Sequence, residues 1–408
     1  MAARISLDSI DIYDPELYVK GLPHGQFAVL RTEAPVFRHP DFEQPNGFWS
    51  VTRHADVNFV SRNPEIFSSY RQTCFLNEQT PTSLAEQQMM MVNLDPPDHT
   101  RLRSLLNRGF TPRSAARMAE KIEHACEVIV DKALATGSGD FVTMCAAELP
   151  LVVIAELMGV PNADRYKIFE WSNRMLSADD PELAPAPDEG LQAAVEAYAY
   201  ANELGAAKRA CPVDDIVSKL VVPDENGREL SELEFDLFFI LLIVAGNETT
   251  RNAISGGMQA MIESPDQWEW LRADPAGLAR KAADEMVRWV SPVMAFRRTA
   301  TRDVELGGQL IRENDKILMY YTAANFDETV FENPHTFDVG RDPNPHVGFG
   351  GGGPHFCLGR HLALLEIEIM YRTLARRVAR VEPLAAPRRL RSNFINGIKE
   401  MQVRLVPA

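Results

Sequence analysis

From Phe235 to Ala245 the chain is almost unbroken in apolar residues, and Ser231 with Glu234 just upstream has the spacing of a capping box that starts a helix. A helix apolar on every side must be buried on every side. The run spans eleven residues, whereas about twenty are needed to cross a bilayer, so the helix belongs in a protein core wrapped by other helices. The run then breaks into Ala245-Gly246-Asn247-Glu248-Thr249-Thr250. Burying a carboxylate is costly, so either chemistry demands it or the helix leaves the core here, with Asn247, Glu248 and Arg251 on a wet face. Gly246 would let a flat ligand approach the helix, and Thr249 can bond back to a carbonyl and loosen the ladder.

A second segment, Phe349-Gly-Gly-Gly-Gly-Pro-His355-Phe-Cys357-Leu-Gly359, presents one thiol at the end of a glycine-rich loop just before an amphipathic stretch from Arg360 to about Val378. Unpaired amides and the positive end of the dipole at a helix start favour a thiolate. A phosphate-cradling loop would want Lys-Ser or Lys-Thr after its last glycine, whereas Pro354, His355 and Phe356 follow here. An iron porphyrin with a cysteine sulfur as axial ligand suits the loop better.

This segment resembles the cysteine loop of the cytochrome P-450 family, with Gly353, His355 and Gly359 at the family's glycine, basic and glycine places. The aromatic departs by one residue, because Phe349 lies eight rather than seven positions before the cysteine, with Gly350 intervening. The wording is similar to an actinobacterial subgroup that oxidises methyl-branched lipids and sterol side chains. The resemblance runs from about residue 45 to the C-terminus. It implies a mainly α fold, a helix-rich wedge with small sheets near the N- and C-terminal parts, and haem b ligated by Cys357. Glu248 and Thr249 fall on the family's acid and alcohol positions. Glu285-Met-Val-Arg288 matches its Glu-x-x-Arg pair, met by Arg341 as a structural triad. His99, Arg103, Arg298 and His355 match its partners for the porphyrin propionates, and carboxylates of that kind need paired, hydrogen-bonded partners when buried. By position, Val244, Val293, Met294, Phe296, Phe394 and Ile395 would wall the substrate pocket.

The expected reaction is hydroxylation of an unactivated C–H bond in a lipophilic substrate (branched lipid, terpenoid or sterol side chain). It uses O2 and two electrons from a separate ferredoxin with its reductase, with Glu248 relaying protons and Thr249 as the alcohol beside dioxygen. Arg360, Arg113 and Arg108 are candidates for the ferredoxin face. A haem-thiolate peroxygenase and a non-catalytic haem sensor are the alternatives. The intact acid–alcohol pair speaks against the first, and the absence of an evident output segment against the second.

The remaining features agree. The required residues run from His99 to Cys357, and no linker, repeat or low-complexity tract divides that span, so residues 1–408 are expected to form one domain. Five cysteines without paired spacing and no signal-like N-terminus point to a reduced, cytoplasmic protein with no membrane anchor. A net charge of -15 disfavours nonspecific nucleic-acid binding. A monomer is expected. Strands are expected at Phe48 to Thr52 after an Asn46-Gly47 turn, at Val304 to Ile311 about Gly307-Gly308, and from Phe394 to Leu405 about Asn396-Gly397. Gln72 to Val92, with Met89, Met90 and Met91, and Ser177 to Glu189 are candidate lids.

Overall fold

The computed structural model describes residues 5–40, 47–177, 179–186, 188–213, 215–223, 227 and 229–408, except the side chain of Arg108. Asn46 of the expected turn, and Ala178 and Pro187 of the expected lid, lie outside the described residues. Its helices are α1 (His24–Glu33), α2 (His54–Arg62), α3 (Pro81–Gln87), α4 (Asp98–Leu106), α5 (Pro112–Thr136), α6 (Glu148–Met158) and α7 (Arg165–Leu176). They continue as α8 (Glu189–Ala210), α9 (Ile216–Val221), α10 (Glu232–Glu263), α11 (Pro265–Ala273), α12 (Pro275–Val290), α13 (Tyr321–Ala324) and α14 (Arg360–Arg377).

The long helix α10 is the axis of the fold. Ser231 accepts from the Glu234 amide while the Glu234 side chain accepts from the Ser231 amide, so both ends of the capping box are made. The helix packs against α6, α7, α8, α12 and α14, which explains why an apolar face is needed all round. Asn247, Glu248 and Arg251 are buried as well, so the helix does not leave the core at its polar break. Two large apolar clusters flank α10. One is built with α5, α12 and α14, the other with α6, α7 and α8.

Five strands form the main sheet in the order β1 (Val36–His39), β2 (Phe48–Val51), β8 (Lys316–Tyr320), β5 (Ala295–Ala300), β3 (Phe67–Ser68), with β2 and β8 parallel. Strands β6 (Val304–Leu306) and β7 (Gln309–Ile311) form the expected hairpin about Gly307 and Gly308, whose φ values of 58° and 75° suit glycine. Strands β4 (Ser138–Asp140), β12 (Gln402–Pro407) and β9 (Val378–Pro383) form a third sheet.

The tail departs from expectation. It does not fold about Asn396-Gly397. Instead β10 (Arg388–Arg389) pairs with β11 (Ile398–Glu400) across a wider loop, closed where the Leu390 amide donates to the Gly397 carbonyl at 3.0 Å.

That tail also holds part of the expected lid from Ser177 to Glu189. Asp180, 1% exposed, accepts from Lys399 Nζ at 2.8 Å and from the Arg391 amide at 3.1 Å. Arg391 also donates to the Asp179 carbonyl at 2.6 Å and to Glu16 at 3.0 Å. In the other expected lid, Met89 is exposed while Met91 packs against the second core cluster, so the methionines split between surface and interior. No helix among the described residues is long and apolar enough to cross a membrane.

Candidate active site

A mostly apolar cavity lies between α10 and the glycine-rich loop that precedes α14. Thr249, Gly246 and Ala245 face it from one side, and Cys357, Phe349 and Gly359 from the other.

The loop owes its shape to its glycines. Gly350, Gly352 and Gly353 have φ of 98°, 88° and 75°, a region unfavourable to other residues. A Cβ on Gly353 would meet the Ser61 carbonyl of α2 at 2.2 Å, so the loop can lie flat on that helix only without side chains. Gly350 accommodates the one-residue offset, and Phe349 still reaches the cavity while its carbonyl accepts from the Cys357 amide at 2.9 Å. The amides of Gly359 and Arg360 point at the sulfur and, with Arg103, pull its pKa down, but burial outweighs them and raises the thiol above its ordinary value. The helix start therefore does not by itself ionise Cys357, contrary to expectation. Binding a metal cation would supply the missing term.

His99, Arg103, Arg298 and His355 come from three separate parts of the chain and converge on the same cavity. The His99 and His355 rings are 4.3 Å apart, and Ser69 Oγ lies 3.2 Å from His355 Nε2. Burial holds both histidines neutral: His99 is pushed down to about 4 and His355 well below its ordinary value, the nearby guanidinium groups adding to the effect. Arg298 is 4% exposed and, among the described residues, donates only to the Arg297 carbonyl, at 2.7 Å. His99 Nδ1 is buried without a partner. Among the described residues no carboxylate answers Arg103 or Arg298. A buried guanidinium, Arg298, and a half-buried one, Arg103, are expensive to leave without an acid, and two carboxylates at this end of the cavity would satisfy them. The donor set therefore fits a dianionic planar group with a metal that prefers sulfur.

Beneath the loop, Glu285 and Arg288 on α12 are both fully buried. The Glu285 carboxylate accepts two bonds of 2.7 Å from Arg288, and further bonds of 3.1 Å from Arg341, Asn344 and the Asp338 amide. Arg288 also donates to the carbonyls of Asn325 and Pro334 at 2.8 and 3.0 Å.

The Cytochrome P450 family profile matches residues 277–387. A steroid C26-monooxygenase of Rhodococcus jostii (strain RHA1) is 46% identical over 404 residues, covering 97% of this chain and 84% of the relative. The chain belongs to the cytochrome P450 family. A methyl-branched lipid omega-hydroxylase of Mycobacterium tuberculosis (strain ATCC 25618 / H37Rv) is 44% identical over 409 residues, with 98% of this chain and 94% of the relative covered. A Mycobacterium marinum cytochrome P450 solved with pseudoionone superposes with a TM-score of 0.91 at 38% identity, covering 99% of this chain and all of that one. This P450 is thus a haem-thiolate monooxygenase that hydroxylates a lipophilic substrate with O2.

Several expected site residues take other positions in this P450. Val293 and Phe296 line the cavity, but Val244, Met294, Phe394 and Ile395 do not. Helical periodicity explains Val244: counting back from Thr249, Ala245, Leu242 and Leu241 share its face and Val244 turns away. Met294 is wholly buried away from the cavity lining, Phe394 tilts against Phe296 with ring centres 5.6 Å apart, and Ile395 pairs with Val293 through backbone. Gly246 lines the cavity, yet a Cβ there would meet Ile154 of α6 at 2.5 Å, so its missing side chain serves helix packing.

Thr249 donates to the Ala245 carbonyl at 2.7 Å, as expected for a back-bonding alcohol, within an otherwise continuous α10. Glu248 points away from the cavity and is ion-paired to Arg251. Burial raises its pKa and Arg251 opposes the rise.

Met91, named only within a candidate lid, lines the cavity, and so do Cys74, Phe110, Phe238 and Glu366, which sequence reasoning did not single out. Glu366 is fully buried, its Oε2 has no partner, and burial keeps it neutral. A lone acid inside the apolar stripe of α14 was the available signal.

Proposed function

We propose that this P450 hydroxylates the chain end of a branched lipid or sterol side chain and draws its electrons from a separate ferredoxin with its reductase, acting as a cytoplasmic monomer in which residues 1–408 form one unit. The similarity to a steroid C26-monooxygenase and to a methyl-branched lipid omega-hydroxylase supports this substrate class. The single observation that carries the reading is the unanswered cationic cluster at one edge of an apolar chamber whose floor presents Cys357.

In this reading Cys357 would ligate the haem iron through its sulfur, and Arg103, Arg298, His99 and His355 would hold the propionates. The haem supplies the oxidising chemistry once bound. The chain's own residues orient the substrate and handle protons. Val293, Phe296, Leu241 and Leu242 exclude water and press an aliphatic tail toward the cavity centre, selecting the attacked carbon by orientation rather than by acid–base contact. Thr249 offers its hydroxyl to the cavity, and Glu248, its neighbour in sequence, relays protons from the interior of the helix bundle. Arg113 and Arg360 are proposed for the ferredoxin face. Arg108, the third candidate, has its side chain outside the described residues.

Spectral titration of the haem-loaded protein with sterols and methyl-branched alcohols, followed by product analysis, tests the reading. Binding that perturbs the haem spectrum, followed by a terminal alcohol that appears only with ferredoxin and reductant, is expected. Product from hydrogen peroxide alone would favour a peroxygenase. No product from any electron source would favour a sensor. Thr249→Ala is expected to consume reductant while releasing peroxide, lowering the product formed per reductant. Undiminished coupling would remove Thr249 from the mechanism.

A further inference from the structure

The stretch between β3 and α4 brings Cys74, Met91 and Val92 to the cavity wall. Its root is tied to the far face of the main sheet. Along β5, Phe296 and Arg298 face the cavity, so strand alternation turns Arg297, between them, to the opposite side. There it joins Lys316 of the neighbouring strand β8. Arg297 and Lys316 are only 3% and 5% exposed, and both donate to the same oxygen of Glu78, at 3.0 and 3.3 Å. Buried cations need an acid. Among the described residues Glu78 is the one carboxylate paired with Arg297.

The N-terminal segment completes the tie. The Lys316 ammonium lies 5.0 Å from the centre of the Tyr13 ring, and the Tyr13 hydroxyl meets the Leu76 carbonyl at 3.1 Å and the Asn77 side-chain amide at 2.8 Å. Leu76 is buried in a cluster with Ile10, Ile12, Phe48 and Leu318. Cys74 is held at both of its backbone groups: its amide donates to Asn93 Oδ1 at 2.9 Å, and its carbonyl accepts from the Arg297 amide at 2.8 Å. Wholly buried, Asn93 also donates to the Gln87 carbonyl at 2.9 Å, so the two ends of the stretch are closed on each other. Tyr13, Glu78, Arg297 and Lys316 do not line the cavity, yet the segment they hold carries Cys74 into it.

We propose that Tyr13 and Glu78 are positioning residues for the substrate, through which the N-terminal segment and the far face of the sheet press the wall at 74–93 against the chamber and set how closely it fits a lipid. The inference rests on the reading of the chamber as a lipid site and adds where its fit is controlled. The expected lid therefore has two parts. Its root, Cys74 to Glu78, is fixed to the sheet, and its arm beyond carries Gln79, Ser83 and Gln87, which bond to one another. A wall that is seated for only part of the time weakens apparent affinity in proportion to the seated fraction.

The test is hydrogen–deuterium exchange of the haem-loaded full chain, read on peptides from 71–93, beside spectral titration with a sterol and with a methyl-branched alcohol. Glu78→Gln leaves Arg297 without its acid, whereas Tyr13→Phe removes only the hydroxyl contacts and keeps the ring over Lys316. Exchange within 74–93 is expected to quicken about tenfold in Glu78→Gln and by less in Tyr13→Phe, with α10 and α12 exchanging as in the parent. The apparent dissociation constants of both lipids should rise in the same order, by about tenfold for Glu78→Gln. Parental exchange across 74–93 in both variants overturns the proposal, and so does faster exchange with unchanged lipid affinity. Should Glu78→Gln fail to fold, Tyr13→Phe decides together with Glu78→Asp, which keeps the charge on a shorter arm. If neither lipid perturbs the parental haem spectrum, the substrate reading falls instead, and exchange alone decides whether the root holds the wall.

Discussion

Full-length protein carrying Cys357→Ser is expected to lose entirely the thiolate-type absorption of its reduced carbon monoxide adduct. The loop's path is set by the positive φ of Gly350, Gly352 and Gly353 and by the Phe349–Cys357 backbone bond, none of which involves the side chain at 357. The Gly359 and Arg360 amides would therefore still converge on the same point. What changes is the atom: a serine hydroxyl is a far weaker acid than a thiol, and the amides do not overcome burial even for sulfur. The substitution thus isolates ligand chemistry from loop geometry. Absorption spectra, with circular dichroism to verify folding, check the result, and an unchanged band would mean that another group ligates the iron.

Glu285→Ala is expected to cost about 3–5 kcal/mol of stability, the usual penalty for stranding one partner of a buried ion pair. Domains of ordinary stability have roughly 5–15 kcal/mol in all, so much of the protein's margin would go. The carboxylate here serves five donors from α12 and the segment around Arg341, and its loss leaves Arg288 with only the carbonyls of Asn325, Pro334 and Thr336 in a fully buried site. Urea unfolding would show a lower midpoint at unchanged slope. The double variant Glu285→Leu with Arg288→Met should be less unstable than Glu285→Ala, because no charge is left unpaired. A loss below about 1 kcal/mol would show that the triad does not brace the proximal loop.

Features governed by local rules were legible before any coordinates. Ser231 and Glu234 start α10 because a capping box needs only four residues, Asp274 caps α12 at Pro275, and α14 begins at Arg360 just past Gly359. The convergence of His99, Arg103, Arg298 and His355 was legible only through family likeness, since nothing local links residues so far apart in the chain. Side-chain direction was harder. Val244 is apolar and near Thr249 in sequence, but a helix turns it to another face, and Met294 fails in the same way beside a strand. Glu248 turns to Arg251, three residues on in the same helix, and Arg251 in turn reaches Asn173 of α7, a contact across two helices that no spacing within α10 encodes. The tail was misread because Asn396-Gly397 looks like a tight turn, whereas the pairing of Arg388 with Glu400 needs a wider one.

Asp180, Lys399 and Arg391 have a further bearing on how the ends of the chain are tied together. The stretch after α7 is fastened by ionic and amide contacts to residues more than two hundred positions later in the chain, and through Glu16 to the opposite terminus. Any loosening of that stretch must begin by parting charges and so answers to ionic strength, whereas the chamber, which none of its described residues line, answers to oiliness.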